Sequence, residues 1–266
     1  MPEWSDTALI LSARPHGESA AVVSVLSSQR GRQAGLVRGG QSRSMRGVLQ
    51  PGNMVSITWR ARLEEHLGAM TVELETAHAA LIMDDTLRLA GLTSICAIVE
   101  GCLPEREPCP GVHDATATLI SMISEDEPEI WLAGLIRWEI AMLEIAGYAL
   151  DLSRCGVTGE REGLVYVSPH TGVAVTRAGA GIHAPRLLPL PGFLGGDPSD
   201  GNDAAGVEKT VEQELLDGME LTRHFLERKV FGLHHQPLPQ PRQRLDILAR
   251  QRFDQPPRDE ADDTAI

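Results

Sequence analysis

The 266-residue chain predicts an α+β protein, a small β barrel followed by an all-α body. Three observations carry this. The first 76 residues break into short segments between turn residues and show no helical periodicity. Within them Val55, Ile57 and Trp59 alternate with Ser56, Thr58 and Arg60, the period of a half-buried strand. From Asp84 onward apolar residues recur at helical spacing instead. An apolar share of 42% is ordinary for a globular chain, so a real core is available to both parts.

Strands are expected over residues 8–13, 20–26, 33–37, 55–60 and 67–74, the last following the turn Glu64-Glu65-His66. Five short strands in such a span suggest a small closed barrel. The five-stranded oligonucleotide-binding (OB) barrel is the commonest solution of that kind. The first domain is therefore set at residues 1–78.

Leu87, Leu92, Ile95, Val99 and Leu103 share a helical face that stops at Pro104. Residues 112–123 and 128–148 give two more helices. The second is apolar around most of its circumference and is expected at the centre of the body, with Gly147 as its terminator. Residues 152–205 are rich in glycine and proline, with a hairpin expected over 165–175, and 207–230 form another amphipathic helix. These make a helical domain over 79–235 with an insertion at about 152–190. Residues 236–266 are polar, rich in proline and acidic at 259–263. They are expected to be disordered apart from a short helix near Leu245.

The charge distribution points to function. The net charge of -13 argues by itself against a polyanionic partner. Residues 19–63 nevertheless hold Arg30, Arg32, Arg38, Arg43, Arg46, Arg60 and Arg62 with no lysine and no carboxylate, a charge of +7 that leaves -20 for the remainder. Guanidinium groups grip phosphates bidentately and stack on bases, so these seven are the candidate nucleic-acid contacts. If all seven met single-stranded phosphates, log affinity would fall against log salt with a slope of about -5, at roughly -0.7 per contact. Gly39 and Gly40 supply a flexible loop for close approach. Trp59, the one aromatic residue in the segment, alternates into the barrel interior, so binding is expected to be mainly electrostatic.

Catalytic patterns are missing from the sequence. Lys209 and Lys229, the only lysines, do not follow glycine, which excludes a Walker loop. Gly179, Gly181 and Ala184 satisfy G-x-G-x-x-A, but Pro185, Pro189 and Pro191 deny the pattern its helix. Neither H-E-x-x-H nor G-x-S-x-G occurs. Cys96, Cys102, Cys109 and Cys155 lack C-x-x-C pairing, and Cys155 has Thr158 where a second ligand would stand, leaving only His170 and His183 as conceivable partners. No metal or other cofactor is expected. His234 and His235 are expected to cap a helix end. Without a leader-like start or an apolar span of about 18 residues, the chain is expected to be cytoplasmic and not an enzyme.

The run Gly35-Leu-Val-Arg-Gly-Gly-Gln-Ser-Arg-Ser-Met-Arg-Gly-Val-Leu-Gln-Pro51 resembles the signature of the RecO family of DNA repair proteins. The likeness continues in Leu135-Ile-Arg-Trp-Glu-Ile-Ala-Met-Leu-Glu-Ile-Ala-Gly-Tyr148 and in Cys155 just beyond. It implies an OB barrel, a helical C-terminal domain and a mediator of homologous recombination. Such a protein binds single- and double-stranded DNA, anneals strands and, with RecR, helps to load RecA on DNA coated by single-strand-binding protein. It would associate with the nucleoid during repair. The resemblance also implies that the acidic tail of single-strand-binding protein docks beside Arg137 and Trp138. Many relatives hold a four-cysteine zinc site; this chain keeps Cys155 alone and departs from that pattern. The alternative from another class is an acidic scaffold whose barrel binds RNA or a protein. A metal-dependent nuclease is a distant third, since the arginine segment holds no carboxylate for magnesium.

Overall fold

A computed structural model describes residues 2–63, 65–197 and 209–253. The N-terminal part forms strands β1 (Glu3–His16), β2 (Ala20–Ser27), β3 (Gly31–Val37), β4 (Met54–Arg60) and β5 (Gly68–Thr76), with a short helix α1 (Arg43–Val48) between β3 and β4. The strands pair in the ring order β1-β2-β3-β5-β4, and a parallel contact between β3 and β5 closes the barrel. Strand β1, 14 residues long, pairs with β2 on one edge and β4 on the other. An irregularity between Ile10 and Ser12 lets it curve around the barrel.

Period-two alternation sorts the side chains. Ala8 and Ile10 face the barrel interior with Val23, Val25, Val55 and Ile57. Leu9 and Leu11, together with Leu26, face the opposite way into the core of the helical body. The middle of β1, residues 8–11, is thus buried on both faces, and each enclosed leucine contributes about 1.5–3 kcal/mol through burial. Gly52 lies against Leu92, and a Cβ there would stand 2.3 Å from its Cδ1 with φ at +85°. Only glycine fits that contact between barrel and body.

The body follows with α2 (His78–Leu81), α3 (Thr86–Cys102), α4 (Val112–Glu125) and α5 (Pro128–Ile145). Asp85 caps α3, its carboxylate accepting from the amides of Leu87 at 2.9 Å and Arg88 at 3.0 Å. Pro128 opens α5, and Gly147 follows its end with φ at 89°. Trp131, Leu132, Leu135, Ile136 and Leu143 on α5 are fully enclosed, which makes this helix the axis of the core.

The insertion contains β6 (Leu164–Val167), β7 (Ala174–Thr176), a four-residue helix α6 (Arg177–Ala180), a 3-10 segment (Gly181–Arg186) and β8 (Leu188–Pro189). Its sheet has the order β7-β6-β8. Gly179, Gly181 and Ala184 fall on the short helical turns, not on a strand-to-helix phosphate loop.

Helix α7 (Val211–Phe225) starts at a capping box made by Thr210 and Gln213 and continues as a π-helical turn, Leu226–Phe231. His235 ends the run in the left-handed conformation, φ 55°, so it serves as the cap and His234 precedes it.

The tail departs from expectation. Residues Gln240–Phe253 form a full helix, α8, packed on α3 and α7. Its inward face consists of Arg242, Leu245 and Ala249, so an arginine occupies a core position and the hydrophobic pattern reveals the helix near Leu245 but not its full length. The acidic run at 259–263 lies outside the described residues.

Candidate nucleic-acid interface

The seven arginines of residues 19–63 do not share one surface. Arg32 turns toward the helical body: its Nε donates to the carbonyl of Leu103 at 2.8 Å, and its Nη1 is 3.4 Å from Glu105. It joins barrel to body and is removed from the phosphate contacts. The remaining six are exposed, at the two ends of the barrel.

At the end near the β1–β2 turn stand Arg38, Arg43 and Arg46. Gln41 fastens their loop to that turn by donating to the carbonyls of Gly17 at 3.0 Å and Ala20 at 2.9 Å. Ser42 caps α1 by accepting from the amide of Met45 at 3.3 Å. Gly40 is pressed onto Ala21, so the loop is packed in place and not flexible as the sequence suggested. Asn53, almost fully buried, holds the other side of α1. Its Nδ2 donates to the carbonyls of Gly47 and Val48, and its Oδ1 accepts from the amide of Ala79. None of the three arginines has an ion-pair partner among the described residues, and Arg46 donates through Nε to the carbonyl of Gln41. A cleft of 430 Å3 opens beside them, lined by Ala13, Pro15, Gln41, Arg46 and Gln50.

At the opposite end stand Arg30, Arg60 and Arg62. Arg60 is 2.9 Å from Glu3, its neighbour across the β1–β4 register, which neutralises it. Arg30 occupies the β2–β3 turn, which is organised by Asp6. The Asp6 carboxylate accepts from the hydroxyls of Ser27 and Ser28 and from the amide of Gln29 at 3.0 Å. Burial pushes this carboxyl up, but those hydrogen bonds prevail and hold it below the usual carboxylate range.

The charge pattern passed over two residues of the barrel. Trp4 lies outside residues 19–63 in sequence, yet the β1–β4 register sets it opposite Trp59. Arg14, largely exposed on β1, pairs among the described residues with Glu100, at 3.4 Å, and like Arg60 is set aside from the candidate phosphate contacts. The alternating pattern had already implied the interior position of Trp59, whose Nε1 donates to the carbonyl of Ala34 at 3.1 Å.

The partner-binding pair on α5 is not brought together at a surface. Trp138 is buried, with its Nε1 donating to the Thr116 hydroxyl at 3.2 Å, so it belongs to the core. Arg137 reaches outward, donates to the Phe193 carbonyl at 2.9 Å and lies 5.5 Å from the centre of that ring.

The residues near Cys155 do not fit zinc. Its sulfur accepts from the amides of Thr158 at 3.4 Å and Thr176 at 3.3 Å, and lies 3.5 Å from the Thr176 hydroxyl. No second thiol approaches, while His170 and His183 are exposed. Among the described residues no group of three or more His, Cys, Asp or Glu side chains is placed to hold a metal ion. Burial pushes the Cys155 thiol up, yet the Thr158 and Thr176 donors outweigh it and bring it down to about 6. No described helix is long and apolar enough to cross a membrane.

Comparison with known proteins agrees with both halves of this architecture. The family model described as "Recombination protein O N terminal" matches residues 1–77, and "Recombination protein O C terminal" matches residues 83–237. A protein of Rhodospirillum centenum named DNA repair protein RecO is 48% identical, the match covering 91% of this chain and 93% of the relative. Relatives of the same name from Cereibacter sphaeroides and Rhodospirillum rubrum are 46% and 44% identical, covering 94% and 92% of this chain and 100% and 95% of their own. The chain belongs to the RecO family of DNA repair proteins.

Proposed function

We propose that this chain is a non-enzymatic recombination mediator. It binds single- and double-stranded DNA through the barrel and promotes annealing of complementary strands. With RecR it helps to load RecA on DNA coated by single-strand-binding protein. The observation that carries the reading is the set Arg38, Arg43 and Arg46, exposed and without ion-pair partners among the described residues in a chain of net charge -13. Arginines that neutralise phosphates release counterions, and the resulting affinity is indifferent to sequence. That suits a protein acting wherever a strand has been exposed. The acidic remainder repels DNA and confines it to the barrel.

Arg30 and Arg62 extend the contact to the far end of the barrel. Arg137 is the group we assign to the acidic tail of single-strand-binding protein. The reactions take place in the cytoplasm, at the nucleoid during repair.

Strand annealing tests this reading directly. Complementary oligonucleotides covered by single-strand-binding protein should pair faster with the wild-type chain than without it, and the Arg38→Ala, Arg43→Ala, Arg46→Ala variant should lose that acceleration. A wild-type chain that leaves the annealing rate unchanged would sink the mediator reading.

A further inference from the structure

We infer that Trp4 is a stacking platform for an unpaired nucleobase, with Arg30 as its movable cover. The inference rests on the proposed DNA-binding function and adds a contact that the charge pattern did not contain.

Five observations support it. Trp4 packs against the edge of the barrel core and keeps part of its surface in solvent, whereas Trp59, Trp131 and Trp138 are buried in the barrel and in the body. Its ring stacks on Trp59 with centroids 5.6 Å apart and planes 20° from parallel, so a fully packed neighbour fixes its orientation. The Arg30 guanidinium lies over the Trp4 ring, 5.0 Å from its centroid. Arg30 is exposed and has no carboxylate partner among the described residues, so only the cation–π contact holds its charge there. The turn that carries Arg30 is fixed through Asp6, two residues from Trp4 on the same strand; Ser27, itself bonded to Asp6, accepts from the Arg30 amide at 3.1 Å.

A planar cation over an indole already has the geometry of a base on an indole. A nucleobase can take its place on the ring while the displaced guanidinium turns to the adjoining phosphate, so no charge is left unpaired. Arg62, exposed just beyond β4, extends the positive field for the next phosphate. A base inside a duplex is stacked on its neighbours and cannot reach Trp4. The platform therefore favours single strands over duplex, which the arginines alone do not.

The test uses the full chain, a labelled oligo-dT and a duplex of equal length, read by anisotropy and by intrinsic tryptophan fluorescence. Oligo-dT should quench the wild-type emission, and Trp4→Leu should abolish the quenching. Trp4→Leu should also lower affinity for oligo-dT about five-fold or more while leaving duplex affinity unchanged. Trp4→Phe should recover most of that affinity, because a phenyl ring still stacks. Binding of oligo-dT by the wild type without quenching overturns the platform and leaves the arginine reading intact. So does a Trp4→Leu variant that weakens single strands and duplex equally, the mark of a purely structural role. Absence of any binding overturns both.

Discussion

Arg242 on α8 and Glu139 on α5 form an ion pair sealed completely from solvent. Nε of Arg242 stands 2.5 Å from Oε1 of Glu139 and Nη2 stands 3.1 Å from Oε2, with both side chains at zero exposure. The Thr222 hydroxyl donates to the same carboxylate at 2.5 Å, and the Met219 carbonyl accepts from Nη2 at 3.1 Å. Three helices, α5, α7 and α8, therefore meet on one charged contact. Glu139, next to Arg137 and Trp138 in sequence, accordingly has a structural partner.

Removing Arg242 leaves the Glu139 charge buried without its cation, which typically costs about 3–5 kcal/mol, whereas removing Glu139 leaves Arg242 its second partner, Asp246 on α8. Arg242→Ala should lower the unfolding free energy measured in urea by an amount in that range, and Glu139→Ala by less. The paired apolar replacement Arg242→Met with Glu139→Leu should recover part of it, because Asp246 then keeps only Arg223, at 3.9 Å, as its counter-charge among the described residues. Single variants as stable as the wild type would show that α8 is not anchored here.

Asn53 connects α1, which carries Arg43 and Arg46, to the start of the helical body. Asn53→Ala leaves the amide of Ala79 and two carbonyls without their partner, a loss of about 1–3 kcal/mol for a buried unsatisfied group. The expected result in thermal unfolding is a lower Tm, with an accompanying fall in DNA affinity as α1 loosens. An unchanged Tm would remove Asn53 from this role.

Cys155 should make stability depend on pH. Its folded-state value of about 6 lies below the ordinary thiol value, so between the two the unfolded chain binds more protons than the folded one. Stability from this group is fully present above the ordinary thiol pKa and is lost as pH falls through about 6. Denaturant unfolding across that window should show wild-type stability rising with pH, and Cys155→Ser should flatten the rise. The other cysteines act in the opposite direction, and only as pH nears the ordinary thiol value, because burial pushes Cys96 and Cys102 up to about 12 and raises Cys109; the Cys155 rise is therefore read in the lower part of the window. Identical pH profiles for wild type and Cys155→Ser would contradict the assignment.

The barrel was legible because alternation in Val55, Ile57 and Trp59 is a local property of one strand. The body was legible because α3 and α5 bury long apolar faces. Helix α8 was legible only as a short helix near Leu245, since Arg242 supplies a core position whose partner lies 103 residues away in sequence. Arg32 could not be separated from the other arginines by pattern: it faces outward from the barrel, and only the docked body covers it. Trp4 escaped for a related reason, since its company with Trp59 and Arg30 depends on strand register and on a turn held by Asp6.

The salt dependence of DNA binding tests the central claim most directly. With Arg32 turned inward and Arg60 paired to Glu3, five arginines remain for phosphates, Arg30, Arg38, Arg43, Arg46 and Arg62. Anisotropy with a labelled single strand should give a slope of log affinity against log salt of about -3.5, at roughly -0.7 per contact. Replacing Arg38, Arg43 and Arg46 by alanine should reduce it to about -1.4. Arg32→Ala should lower the Tm and leave the slope unchanged. A triple variant with the wild-type slope, or an Arg32→Ala variant that loses as much affinity as the triple, would contradict the account.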